Sequence, residues 1–565
     1  MTPGRFRPRS VLRESWGPVA VVAASVVVLA HLLGTEWLRY FLYDGDSLAL
    51  PLLVQSVQAG EPFEWVMTSQ IFLFPEIPLY LLSSIVAPSV QAALLVNGVL
   101  NALVLYLLLR WIAARVLHGR ARVLQVGAAF AATATFLLLC ATEGRALVNT
   151  GAFATGYLLT TYYGGVLMAG LLCLALALEA SGGFRGRDHV AAPSRRVVVL
   201  ALLGLFVVSA LTTISNPLFL LNVVAPFVGA VAILWLLNRL DPGRSVLLIG
   251  AVAVGAVGGY LARGLLARFI AVDAATYLHL DQAGTAVSTL LAQVLDVAAT
   301  RPGKIELLIV ALLLLLAVLG VVVAVFTQVR PERRAHIDDA GLFLYCFVVL
   351  STAVLLAAQV ITGSQVSRYF VALGVFPTLG LIALAGGPTV RRGFAGLHRW
   401  VPARIRQLGL VVSGVAAVAA VVVGLVVGVP PVAAAAEATR SSADEACLES
   451  WIDSRDLSGV GSFWTTRPLQ LYGSEDIDVQ QVNFDFSAQL WMNNLADYDG
   501  KTFRYVLADH DPDWAALAIA HLGEPSAVVA CGSFDIYDYD GTAGEATLND
   551  IVGASVRAAQ VQREY

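Results

Sequence analysis

Charge is what this sequence has least of. Only 13% of its 565 residues are Asp, Glu, Lys or Arg, 58% are hydrophobic, and the mean hydropathy is +0.75. A soluble globular domain carries about a quarter charged residues, so the composition excludes one and implies an integral membrane protein. The formal net charge of -4 gives no footing for a nucleic-acid partner. Cysteine is scarce at five residues, with no CxxC pair and no His-rich set, which argues against zinc. Internal repeats are not evident, and the apolar runs are nearly free of ionisable residues. A transporter would carry such residues near the midplane of several spans.

What is present is a series of apolar runs. A membrane helix needs about 20 mostly apolar residues, and eleven runs approach that length: 17–34, 91–112, 123–140, 153–178, 197–213, 218–237, 246–265, 305–326, 341–361, 369–386 and 408–429. The first is read as an uncut anchor, because "LLGTEWLRY" offers no small-residue cleavage site. Arginines precede this run at positions 5, 7, 9 and 13 and recur in residues 110–122, 185–196, 239–244, 330–334 and 391–406, which are alternate connections. The positive-inside rule then places the N-terminus in the cytoplasm and the C-terminus outside the plasma membrane. The Arg-rich, Lys-poor composition suits a GC-rich bacterial genome, making "outside" the cell-wall side.

After "VVGVPPVAAAAEATRSSADEA" the chain turns acidic and aromatic. The expected organisation is therefore a polytopic helical domain, 1–434, and an external domain, 435–565, large enough for a small α/β fold. The latter holds Cys447 and Cys531, expected to pair because the domain is exported. Its Trp464 and Trp491 are expected in the core, with a sugar-stacking face as the alternative.

The external connections hold the unusual residues. "FLYDGDSLALP" places Asp44 and Asp46 just past the first run, where a carboxylate must face water or a polar cavity. In "IFLFPEIPLYLLSSIVA", Pro75 and Pro78 break a short apolar run, predicting an interfacial or re-entrant helix that starts near Glu76. Ser215, Asn216 and Pro217 read as a tight turn. Tyr277, His279 and Asp281 are candidates to line a cleft, beside an amphipathic run. In "SRYFVALGVFP", Arg368 precedes Tyr369 at the mouth of a late span, either snorkelling or gripping a phosphate with its planar fork.

Together, "YDGDSLALPLL", "FLFPEIPLY" and "SRYFVALGVFP" resemble the layout of GT-C glycosyltransferases, membrane enzymes that use polyprenyl-phosphate sugars. The stretches "ACLESWIDSRDLSGVGSFWTTRPLQLYG" and "HLGEPSAVVACG" look like the external domain appended to bacterial relatives of that class. The chain departs from the simplest pattern in having Asp-Gly-Asp where a single Asp or an Asp-Glu pair is usual. The resemblance implies transfer of a sugar from a polyprenyl-phosphate donor to a glycan, lipid or protein acceptor at the external face. Asp44 or Asp46 would be the base and Arg368, with Tyr369, would hold the donor phosphate. Glu76, Asn216, His279 and Asp281 would line the site. No cofactor is required; alternatively the Asp pair holds a divalent cation. The rival readings are a lipid or glycan flippase or transporter, and a non-catalytic scaffold in envelope assembly.

Overall fold

The computed structural model describes residues 8–144, 153–181, 193–272, 279–329, 337–363, 366–387, 403–438, 443–453, 455–510 and 512–565, with backbone alone at 8–13, 328–329, 403–417, 443 and 512. Tyr277, Arg5, Arg7, Arg185, Arg187, the arginines of 330–334, Arg391, Arg392 and Arg399 lie outside the described residues. The chain forms two compact units: residues 1–37, 72–263 and 274–436 make the first, and 38–71, 264–273 and 437–565 the second. The second unit is thus discontinuous: beyond the expected C-terminal stretch it takes in two segments that the sequence had placed with the membrane part.

The first unit is helical. Ten helices among the described residues are long and apolar enough to cross a membrane, by length and composition: Glu14–Leu32, Val90–Val116, Arg122–Thr142, Gly164–Ser181, Arg195–Ser215, Pro242–Phe269, Arg301–Thr327, Asp339–Ile361, Ser367–Gly386 and Val418–Glu437. Many of their leucines and valines are exposed, as lipid-facing surfaces require, for example Leu308, Leu312, Leu315 and Leu319 along Arg301–Thr327. Ten of the eleven runs therefore appear as long helices. The run 218–237 does not, and the reason is local. It starts as a π-helical turn, Leu220–Val224, and continues as Ala225–Leu236. Pro226 has no N–H to offer the Asn222 carbonyl, which accepts instead from Ser351 Oγ at 3.4 Å. The run 153–178 is also shortened: Thr155–Tyr157 forms a 3₁₀ turn and the helix begins at Gly164. The expected short helix is present as Glu76–Val86 and the amphipathic one as Ala283–Ala299.

The second unit is α/β. Its strands are β1 (Trp65–Val66), β2 (Ser458–Gly461), β3 (Asp478–Gln481), β4 (Asn493–Asn494), β5 (Phe503–Asp509), β6 (Ala527–Cys531) and β7 (Phe534–Asp538). Five form one sheet in the order β3-β2-β5-β7-β6, with β3, β2 and β5 parallel and β7 antiparallel to its neighbours. One face buries Val460, Val506, Trp514, Leu548 and Val552; another cluster holds Leu448, Ile452, Tyr505, Leu507 and Ile536. Cys447 and Cys531 are disulfide-bonded, with Cα atoms 5.6 Å apart, tying the helix Ala443–Ile452 to β6. Three distant segments close the unit. β1 pairs with β4, Met67 bridges Ile270, and Arg563 donates to the carbonyls of Arg268 (2.7 Å) and Ile270 (3.0 Å).

Candidate functional site

The Asp-Gly-Asp stretch opens a helix, Gly45–Ala59, within the second unit. Asp44 is its N-cap: extended backbone, with Oδ1 accepting the Asp46 N–H at 3.1 Å. A carboxylate in that position satisfies an orphan amide and meets the positive end of the helix dipole. Gly45 lies against the Phe463 ring, and Tyr472 Oη donates to the Leu42 carbonyl at 2.8 Å. The helix thus docks on Phe463–Tyr472, the helix that connects β2 to β3.

Between these two helices and the strand β3 edge lies a polar pocket of about 400 Å³. Its lining includes Glu61, Arg467, Gln470, Asp478, Asp497 and Lys501. Arg467 is 1% exposed, and its guanidinium donates to the carbonyls of Trp491 (3.3 Å) and Met492. Its Nε has no hydrogen-bond partner among the described residues. Burial pulls the Arg467 pKa down to about 10, against the opposing pull of Tyr498, Asp497 and Asp46, so it remains a cation at neutral pH. Burial, with Glu61 nearby, pushes Asp497 up to about 6 despite Lys501 and the Asn494 hydrogen bond at 3.0 Å. Lys501 pairs with Asp478, which also accepts from Ser458 Oγ at 2.6 Å. Two cations, three carboxyls and several amides thus converge on one pocket, the donor and acceptor set that orients hydroxyl-rich or phosphorylated ligands.

A second place where α/β sheets bind ligands is the carboxyl end of adjacent strands whose connections diverge. Here that point lies between β2 and β5, at the N-terminus of Phe463–Tyr472. Asp509 at the end of β5 accepts from Ser462 Oγ at 2.5 Å and from Thr465 Oγ1. The chain's own carboxylate therefore occupies the position an anion would take.

The remaining expected residues belong to the first unit. Arg368 lies in a 3₁₀ turn, Ser367–Val371, with its guanidinium 5.9 Å from the Tyr162 ring centroid. Tyr369 packs on Tyr163, centroids 5.1 Å apart. Glu76 is the buried first residue of its helix. Asn216 caps the helix Arg195–Ser215 at its C-terminus, and its Oδ1 accepts from the Leu218 N–H at 3.0 Å, as a turn residue should. His279 and Asp281 are both exposed. Trp464 is 47% exposed rather than in the core, because its neighbour Phe463 takes the inward position against Gly45. Trp491 is half-buried.

Several polar residues have no counterpart in the sequence reading. Arg467, Asp497 and Lys501 sit in separate stretches that only the β1–β4 pairing and the β2–β3 crossover bring near Glu61. Their one local signal is that Lys501 is one of only two lysines in the chain. In the first unit, the Glu143 carboxylate accepts the N–H groups of Phe153, Ala154 (2.6 Å) and Thr155 (2.8 Å). Glu306, 2% exposed inside Arg301–Thr327, lies close enough to Glu143 for the two acids to act on one another. Among the described residues, no group of three or more His, Cys, Asp or Glu is placed to hold a metal ion. Neither a family model nor a curated protein matches this chain.

Proposed function

We propose that the protein is a multi-pass plasma-membrane glycosyltransferase that moves a sugar from a polyprenyl-phosphate donor to a cell-envelope acceptor on the external face. The observation that carries this reading is the polar pocket of the second unit. Transfer to a hydroxyl needs a base and groups that orient a polar acceptor. Asp497, with its pKa near 6, suits a base that works around neutral pH, while Arg467, Lys501 and the glutamine amides suit hydroxyl or phosphate oxygens. The Asp46 charge favours the Arg467 cation; Asp44, engaged as a cap, is the weaker candidate for a base. Arg368 and Tyr369 are assigned, separately, to a lipid phosphate at the membrane surface.

The composition of the second unit supports the topology. Residues 38–71, 264–273 and 437–565 fold together, so they share one side of the membrane. An even number of crossings must then separate each from the next. Four long helices lie between 273 and 437, but only five lie between 71 and 264. Counting the shorter helix Leu220–Leu236 as a crossing makes six, and eleven in all. With the arginine distribution, this favours a cytoplasmic N-terminus and an external second unit.

A second reading, a lipid or glycan transporter, is favoured by one observation, the neighbouring buried acids Glu143 and Glu306 inside the helical unit. The two are separated by assaying sugar transfer and lipid translocation on one nanodisc or liposome preparation. Transferase activity lost in Asp497→Asn and kept in Glu306→Gln supports the enzyme; the converse pattern in translocation supports transport.

A further inference from the structure

Glu76, Asn97, Asn101 and Thr160 line a small cavity inside the helical unit, with an accessible volume of about 10 Å³. That is room for one particle the size of a water molecule. Glu76 is 5% exposed and Asn101 4%. A Cβ on Gly165 would overlap the Glu76 carboxylate, so the glycine is what lets the acid lie there. The hydrogen-bond pattern shows which polar atoms beside the cavity are left over. Asn101 Nδ2 donates to Asn97 Oδ1 at 3.1 Å and to the Leu158 carbonyl at 3.2 Å, using both of its hydrogens. Asn97 Nδ2 donates to Ser83 Oγ at 3.3 Å, and Ser83 Oγ donates onward to the Leu79 carbonyl at 2.9 Å. This leaves Asn101 Oδ1 and Glu76 Oε2, both buried, without a hydrogen-bond partner.

Both orphans are acceptors when Glu76 is ionised; burial pushes its carboxyl up to about 7, so a charge held there calls for a compensating partner. No charged side chain among the described residues acts on Glu76. A bridging water donates to both oxygens but leaves a buried carboxylate uncompensated, which is costly in an apolar interior. A cation satisfies both oxygens and the charge. Divalent ions suit the site poorly: calcium takes 6–8 oxygen ligands and magnesium keeps its waters, whereas this cavity has one carboxylate and no room for a shell. We propose that the cavity binds one small monovalent cation, sodium being the ion of suitable size. The ligands are the Glu76 carboxylate and Asn101 Oδ1, with Thr160 Oγ1 and nearby carbonyls completing the set.

The site joins the helix Glu76–Val86 to Val90–Val116 and to the turn before Gly164–Ser181, so ion binding holds the short helix in place. The test is binding of radiolabelled sodium to the full-length protein in nanodiscs, with choline chloride keeping the ionic strength constant. Thermal unfolding is recorded in sodium, potassium and choline. Saturable binding of one sodium per chain is expected, with a higher Tm in sodium than in choline. Glu76→Gln and Asn101→Ala should each weaken binding about tenfold or more, as loss of a metal contact does, and flatten the sodium dependence of Tm. The absence of saturable binding to folded wild-type protein overturns the site, leaving a water or a protonated Glu76. So does unchanged binding in Asn101→Ala, the variant that keeps the charge and tests the site if Glu76→Gln fails to fold.

Discussion

Gly45 packs against the Cε1 side of the Phe463 ring. A Cβ on Gly45 would lie 2.8 Å from Cδ1 and 2.9 Å from Cζ of that ring. The Asp-Gly-Asp stretch is therefore a docking element as well as a pair of charges. Its glycine admits the ring, its first aspartate caps the helix, and its second faces Arg467 electrostatically. Gly45→Val should force the ring aside and destabilise the second unit by about 1–3 kcal/mol. Limited proteolysis and thermal unfolding measure this. A wild-type unfolding profile would mean the two helices are not held by this contact.

The disulfide makes a separate prediction. Cys447 and Cys531 are 84 residues apart in sequence. In the chain-entropy model, a loop of that length gains about 4–5 kcal/mol from cross-linking. Cys447→Ser with Cys531→Ser should lower the stability of the second unit by a sizeable part of that figure. Free-thiol labelling of either cysteine in unreduced wild-type protein would contradict the pairing.

Asp497 gives stability a pH dependence of known sign. Its folded pKa is raised from 3.8 to about 6, chiefly by burial, so the folded state holds this proton more tightly than the unfolded state. The contribution favouring the fold is complete below about pH 3.8 and is lost as pH rises through about 6. Above that, the charged carboxylate costs at most about 3 kcal/mol. Asp497→Asn should raise stability at pH 7 and flatten the profile between pH 4 and 6. Denaturation curves at several pH values, compared with wild type, read this directly.

Much of the fold could be read from the sequence, and the exceptions have physical causes. Ten apolar runs announced their helices because membrane spanning needs length and hydropathy, and both are local properties. The run 218–237 has the right composition, but Pro226 removes one N–H and the backbone answers with a wider turn. Asp44 was expected to be chemical and is also a cap, which its neighbours "GDSLALP" do not advertise because Pro51 reads as a helix breaker; it is accommodated inside the helix. Glu306 stands in the first turns of a span, where an acid ordinarily reaches the headgroups, and only the structure pairs it with Glu143. The pocket around Arg467 and Asp497 depends on pairing between residues 65–66 and 493–494, a separation no local pattern encodes.

The crossing assigned to Leu220–Leu236 is open to a reporter experiment. Fusions in the turn at Gly60 and after Gly500, both exposed, should report the external side, and one at Asn238 the cytoplasm. If Asn238 and Gly60 report the same side, the short helix does not cross.

The most direct measurement is transfer from a defined polyprenyl-phosphate sugar by the full-length protein in nanodiscs, with Asp46→Asn, Asp497→Asn and Arg368→Lys beside wild type. Each variant is first checked for folding. Wild-type turnover is expected, with kcat falling about 10²–10⁴-fold in whichever aspartate variant removes the base. Arg368→Lys should weaken donor binding, because it keeps the charge but loses the bidentate fork. Wild-type turnover in Asp46→Asn, Asp497→Asn and their double variant would contradict the pocket as the place of transfer. No turnover by wild type with any polyprenyl-phosphate sugar would contradict the glycosyltransferase itself.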